Sequence, residues 1–226
     1  RSACPSPIPP SVWQQRCLDV RNKMASIGGY AYLAKKESEG NTKVLEYLGE
    51  IETAIQQSAR IFDFARAYEM LGAEELTYLN VEKIVDEATA LFSDLRRVNI
   101  DNNCRGLTVL ADSLLRQLFY NLIDNSLKHG QKVTKIRVLY EKMSQEELKL
   151  IYEDDGVGIA DSDKPKLFKE GYSTGGSTGY GLFLIKKMME VYGWSVQEAG
   201  EPSQGARFII TIPRTNSNGK DNYQVV

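Results

Sequence analysis

Three short clusters in the second half of the chain combine residue types and spacings suited to phosphate chemistry. In NLIDNSLKHG, Asn121 and Asn125 stand four apart and Lys128 three further on, so on a helix two amides and an ammonium share one face. Amide oxygens are hard ligands that suit Mg2+, and a lysine matches phosphate. In YEDDGVGIA, a strand-like run ends at Asp154 and is followed by Gly156 and Gly158. A carboxylate there can accept a hydrogen bond from an exocyclic amine such as that of adenine, and the glycines permit close backbone approach or positive φ. In YSTGGSTGYGLFLIKKMMEVYGW, Gly175, Gly176, Gly179 and Gly181 lead into an apolar-periodic helix, converging free N–H groups and a positive helix end where phosphate could sit. No GK[ST] follows and no strand immediately precedes, so this is neither a P-loop nor a dinucleotide fingerprint. Taken singly, the clusters also read as a solvated helix face, an Asp-Gly turn and a flexible loop.

Mixed elements must hold these clusters. The periodicities predict a helix over 81–95, strands at 107–110, 134–140, 148–153, 195–198 and 206–212, and helices over 112–128 and 179–192. Asp112 or Ala111 would open the second of the three helices and Gly130 close it. The tail TNSNGKDNYQVV has no periodic pattern and is expected to be mobile.

A different pattern precedes them. Trp13, Cys17, Val20, Met24, Ile27, Ala31 and Ala34 alternate steps of four and three, a coiled-coil seam. After the polar break ESEGNT the seam resumes at Val44, Leu48, Ile51, Ile55, Ser58, Phe62 and Ala65, with Gly40 to end the first helix and Asn41 or Thr42 to cap the second. An antiparallel hairpin follows. Two such helices leave an outer seam wet, so a homodimeric four-helix bundle is the economical reading; packing on the same chain's second half is the other.

Composition bounds the rest. In 226 residues, 28 Lys plus Arg oppose 30 Asp plus Glu for a net charge of −2, with 42% hydrophobic and 26% charged residues, the profile of a globular protein without a broad basic face for nucleic acid. One histidine excludes a multi-His metal centre, and Cys4, Cys17 and Cys104 show no CxxC pair, so a reducing, cytoplasmic setting is the default. No run reaches the roughly 20 apolar residues of a membrane span, and no signal peptide appears. The chain starts at Arg1 and its first ten residues hold four of its seven prolines, so a soluble fragment cut in a linker of a longer protein is expected, with no membrane contact of its own.

In order, Asn121 with Asn125, Asp154-x-Gly156-x-Gly158-Ile159, Phe168 and Gly179-x-Gly181-Leu182 resemble the N, G1, F and G2 boxes of histidine kinases, members of the gyrase, chaperone, histidine kinase and MutL ATP-binding fold. The resemblance implies an α+β chain with a linker at 1–11, a dimerisation and phosphotransfer hairpin at 12–72, a Bergerat-type α/β sandwich at 73–214 and a tail at 215–226. It implies Asp154 as acceptor for the adenine amine, Gly156 and Gly158 as the turn admitting the base, Asn125 as the Mg2+ ligand, and Asn121 and Lys128 near the phosphates. Ile159, Phe168, Thr178, Gly179, Tyr180, Gly181 and Leu182 complete the implied ATP site, and residues from about 161 to 178 would form its lid. Ser177 stands where the G2 box often has its first glycine.

Hydrolytic relatives on this fold place a Glu general base where this chain has Asn121; an amide cannot take a proton from water, so phosphoryl transfer fits better than steady hydrolysis. The acceptor is the difficulty. Cys17-Leu18-Asp19-Val20-Arg21-Asn22-Lys23 resembles the family's phosphoacceptor flank with Leu18 where its histidine would be. Asp19 looks like the acidic partner of the missing imidazole, and Asn22 like the amide residue that follows. Three accounts stand: a variant that binds ATP without autophosphorylating, a kinase acting on a His or carboxylate elsewhere, or a dimeric scaffold that senses nucleotide. A response-regulator receiver domain is the implied partner. Cys17 is a poor substitute acceptor as a seam residue. His129, at a helix C-terminus that favours His+, is better suited to a capping or lid contact.

Overall fold

A computed structural model describes residues 10–38, 40–93, 95, 97–142, 146–174 and 178–225, with side chains from Asp19 onward. Among these residues the chain divides into two compact units, before and after Met70.

The first unit is two helices, α1 (Pro10–Glu37) and α2 (Thr42–Met70). Gly40 at φ 96° ends the first, and Asn41 Oδ1 accepts the Val44 N–H at 3.3 Å to cap the second. Ion pairs Arg21–Asp63 and Lys35–Glu52 (2.8 Å) join the start of α1 to the end of α2 and the reverse, which makes the hairpin antiparallel. Of its described residues only Ala31 and Ala67 are buried.

The second unit runs β1 (Thr77–Asn80), α3 (Val81–Thr89), β2 (Asn99–Asn103), β3 (Leu107–Ala111), α4 (Leu115–His129), β4 (Lys135–Lys142), β5 (Glu147–Asp154), a 3-10 turn (Lys164–Lys166), α5 (Gly181–Tyr192), β6 (Ser195–Glu198), β7 (Arg207–Pro213) and β8 (Tyr223–Val225). Five strands form a sheet in the order β2-β4-β5-β7-β6, parallel at β2–β4 and antiparallel elsewhere. β1, β3 and β8 form a smaller antiparallel sheet. Apolar stripes on α3 (Val81, Val85, Ala88), α4 (Leu118, Phe119, Leu122) and α5 (Ile185, Met188, Met189) are buried, as is the sheet face carrying Ile136, Val138, Leu148, Leu150, Ile210 and Ile212. This is a two-layer sandwich with one core.

Two readings need correction. The helix expected over 81–95 stops at Thr89; Leu91 stays exposed while Phe92 turns away to stack on Tyr120 at 4.9 Å between centroids. The tail expected to be mobile supplies β8, with Asn222 and Tyr223 buried. Asn222 Nδ2 donates to Pro213 O at 3.0 Å, the Leu110 N–H donates to Asn222 O at 2.8 Å, and the Arg214 guanidinium lies 5.0 Å from the Tyr223 ring centre. These contacts are set by pairing with β3 and leave no local periodicity to read.

Candidate functional site

β5 alternates its side chains, so Leu148, Leu150, Tyr152 and Asp154 share the face that carries the core. Asp154, last in that row, is half-buried. Its Oδ1 accepts the Gly156 N–H at 2.9 Å and the Ala206 N–H at 3.0 Å. Ser126 Oγ, from α4, donates to Oδ2. The same Ser126 oxygen lies 2.8 Å from the hydroxyl of Tyr152, whose burial pushes its pKa far up. A carboxylate has about four acceptor positions; three are used, and one on Oδ2 is left for a ligand amine.

Ser126, Tyr152 and the Ala206 amide were not singled out by sequence reasoning. Ser126 had a signal, being the one polar member of the buried α4 stripe Leu115, Leu118, Phe119, Leu122, Ile123. The Ala206 amide had none, because it reaches Asp154 across 52 residues.

Gly156 and Gly158 are required by protein backbone. A Cβ on Gly156 would come 2.8 Å from Gly130 Cα and O, and one on Gly158, at φ 68°, 2.8 Å from Glu201 O. The turn after Asp154 is therefore wedged between the end of α4 and the β6–β7 connection. Asp155, unread in the sequence, braces the same turn: its Oδ1 accepts the Thr134 and Lys135 N–H groups at 2.8 and 2.9 Å. Burial pushes the Asp155 carboxyl up, but the Thr134 hydroxyl and these amides outweigh it and hold it below the usual range.

On α4, Asn121 accepts from Gln117 Nε2 at 3.0 Å and donates to Gly181 O at 3.3 Å, tying the helix to the start of α5. Asn125 lies one turn on, with Nδ2 buried and no protein hydrogen-bond partner. Lys128 forms an ion pair with Asp124 on its own helix. A helix C-terminus favours His+ at His129, but burial first, then Lys128, lower its pKa, and Asp124 only partly opposes them.

Gly179, at φ 70°, packs against the Gly171–Tyr172 backbone so closely that no side chain fits. Thr178, Tyr180, Gly181, Leu182 and Ile159 are half-buried around this junction and the Asp154 turn. Phe168 meets Phe208 edge-on at 6.5 Å, and Phe208 in turn contacts Tyr152. Gly175, Gly176 and Ser177 lie outside the described residues, as do the side chains of Trp13, Cys17 and Leu18 and residues 1–9 of the expected linker. Asp19 and Asn22 are exposed on α1. A cleft of about 480 Å³ on the outer sheet face includes Arg137, Glu153 and Arg207, but Glu153 lies between the two guanidiniums and neutralises much of their charge.

No group of three His, Cys, Asp or Glu side chains that could cage a metal occurs among the described residues. A cation here would rest on amide and phosphate oxygens, as suits Mg2+; at Asn125 only the side-chain oxygen can be such a ligand, and the buried, unpartnered Nδ2 is a donor that suits a phosphate oxygen instead. The open acceptor on Asp154 fits the amine of a purine.

A two-layer sandwich with a carboxylate at the end of a central strand, an amide pair on the facing helix and a glycine-led helix start defines a Bergerat-type ATP-binding domain. Residues 111–216 match the family model described as Histidine kinase-, DNA gyrase B-, and HSP90-like ATPase. Sensor histidine kinase GacS of Pseudomonas protegens is 24% identical over 90% of this chain and 24% of its own length. Full-length ShkA, solved in complex with AMPPNP, superposes with a TM-score of 0.63 at 18% identity, covering 97% of this chain and 47% of that one. The catalytic domain of histidine kinase ThkA matches at a TM-score of 0.53 and 26% identity over 63% of this chain and all of that one. Residues 111–216 carry this ATPase domain, and the chain, similar to sensor histidine kinases over most of its length, spans about a quarter of the length of the first curated relatives it matches. No described helix is long and apolar enough to cross a membrane.

Proposed function

We propose that this chain binds Mg-ATP for phosphoryl transfer in two-component signalling and does not phosphorylate itself at the usual hairpin position. The observation that carries the nucleotide reading is Asp154, whose carboxylate has three protein donors and one acceptor position left. Asp154 would take the adenine amine, Asn125 would hold Mg2+, and Asn121, Lys128 and the start of α5 at Gly181 would lie along the phosphates, with residues 161–178 as lid. When bound, Mg-ATP supplies the transferable phosphoryl group and the cation that neutralises its charge. Ile159, Phe168, Thr178, Tyr180 and Leu182 would line the nucleotide. A homodimer through the hairpin and a response-regulator receiver domain are the partners this reading names.

Leu18 has no nucleophilic atom, which supports a second reading: a nucleotide-gated dimeric scaffold, or pseudokinase, without transfer chemistry. Incubation with Mg2+ and γ-labelled ATP, for the protein and for Leu18→His, separates them. Label on Leu18→His alone supports the kinase reading; ATP binding without label on either favours the scaffold; no ATP binding by either defeats both. Asp154→Asn puts an N–H donor toward the base and is expected to weaken ATP binding about tenfold or more. Unchanged affinity removes Asp154 from the site.

A further inference from the structure

β6 ends in a carboxylate that its position does not call for. Glu198 pairs with Phe208 across the β6–β7 ladder, and its side chain is only 1% exposed. A carboxylate so deep needs partners. Oε1 accepts the N–H groups of Gly200 at 2.9 Å and Arg207 at 3.2 Å, the two residues that open and close the β6–β7 connection. Oε2 lies 3.3 Å from the ammonium of Lys164. Lys164 sits on the 3-10 turn at the root of the 161–178 segment, and its Nζ also donates to Gly200 O at 2.5 Å and lies 3.0 Å from Asp161.

The connection that Glu198 organises is the one that reaches Asp154. Arg207 follows directly on Ala206, whose N–H donates to Asp154 Oδ1 and whose carbonyl accepts the Asp154 N–H at 3.0 Å. Gly205 meets the Asp154 carbonyl so closely that no Cβ fits. Ser203, at φ 68°, donates its N–H to Val157 O at 2.8 Å, holding the same connection on the turn after Asp154. One set of bonded groups therefore runs from the lid root through Lys164, Glu198 and the 200–207 backbone to the carboxylate assigned to adenine.

We propose that Lys164 and Glu198 are positioning residues that fix the root of the lid to the strand connection carrying the Asp154 partner, so that the lid and the base-binding carboxylate are set as one unit. The proposal rests on the ATP reading of Asp154. It explains why a carboxylate only 1% exposed stands where packing alone would favour an apolar side chain: its pair with the part-exposed Lys164 contributes little stability over apolar replacements but imposes one geometry.

Three variants test it: Lys164→Met, Lys164→Arg, and Lys164→Met with Glu198→Gln. Lys164→Met strands a buried carboxylate and lowers the thermal midpoint, whereas the double variant removes both charges, keeps a side-chain oxygen for the Gly200 and Arg207 N–H groups and restores most of it. Without nucleotide, trypsin cleavage after Lys166 and Lys169 is expected to quicken at least fivefold in Lys164→Met and in the double variant, and to return to the wild-type rate in Lys164→Arg. Mg-ATP dissociation constants are expected to rise about five- to tenfold in the same two variants and to recover in Lys164→Arg. A double variant that regains wild-type ATP affinity together with its midpoint overturns the proposal, since the pair would then only stabilise. Unchanged trypsin rates overturn it as well. A wild-type protein that binds no ATP overturns the function reading and the nucleotide half of this one, while the trypsin arm decides the tether independently.

Discussion

The hairpin and the ATP-binding domain satisfy the hydrophobic requirement in opposite ways. In the domain, Phe119, Ile123, Ile136, Tyr152 and Tyr192 are all but fully buried by the chain's own strands and helices. In the hairpin, Ile27 and Leu33 are 51% and 54% exposed, with Tyr30, Tyr47, Ile51 and Ile61 also open to solvent. That many large apolar side chains exposed on two helices favour a surface that another one covers. Ile27 and Ile51 are moreover seam positions of the heptad pattern that the single hairpin leaves exposed, while most other seam residues are half-buried between its two helices, so a four-helix bundle has apolar surface left to bury. The lesson is that periodicity alone identifies a core, and says nothing about whether one chain completes it.

The largest expected effect breaks that contrast at the hairpin. Replacing Ile27 and Ile51 by Asp places charges at two seam positions, each repeated by symmetry in a homodimer. Self-association is expected to weaken on the order of 100-fold or more, because burying each such side chain contributes about 1.5–3 kcal/mol. Sedimentation at micromolar concentration checks it, and a wild-type monomer there sinks the dimer. Nucleotide affinity should stay unchanged, since the domain's core belongs to one chain.

A smaller effect is expected from the other side. Ser126→Ala removes the donor to Asp154 and leaves the buried Tyr152 hydroxyl without its partner, a loss of about 1–3 kcal/mol. The domain's thermal midpoint should fall by several degrees while the sedimentation of the protein does not move. A midpoint equal to wild type would mean that water replaces the serine without cost.

The two regions also differ in how they could be read. Both hairpin helices follow from seams and a Gly-Asn break, which are local. In the domain, β4, β5, β6 and β7 lie within about a residue or two of their expected limits because β-branched and apolar residues mark them. β1, β2 and β8 were not expected. β2 is NIDNN, an edge strand joined to β4 in parallel, and such a strand needs little apolar alternation. Asp154, the amide pair and the glycine-led helix start were legible from type and spacing. Ser126, the Ala206 amide and the Lys164–Glu198 pair were not, since each is placed by a neighbour distant in sequence. His129 was legible as a residue but not in its environment: its helix end favours a charge that burial and Lys128 oppose.

That imbalance at His129 supplies the subtlest test. The hairpin carries no histidine, so the one imidazole resonance of the protein reports the ATP-binding domain alone. Its folded pKa is expected below the ordinary 6.5. Above pH 6.5 both folded and unfolded chains hold the neutral ring, and His129 adds no pH dependence. As pH falls below 6.5 the unfolded chain takes the proton first, so stability declines until the folded pKa is passed and then levels with respect to this group. An NMR titration of the single ring reads the shift directly. Lys128→Met should move it back toward 6.5 in part, burial remaining; a folded pKa at or above 6.5 would show that the helix end and Asp124 dominate. In Leu18→His each region has one imidazole, the hairpin's new one and the domain's His129. Urea melts at pH 7.5 and 5.5 on that protein then separate any pH sensitivity of the hairpin from that of the domain, because only the second is expected in the parent chain.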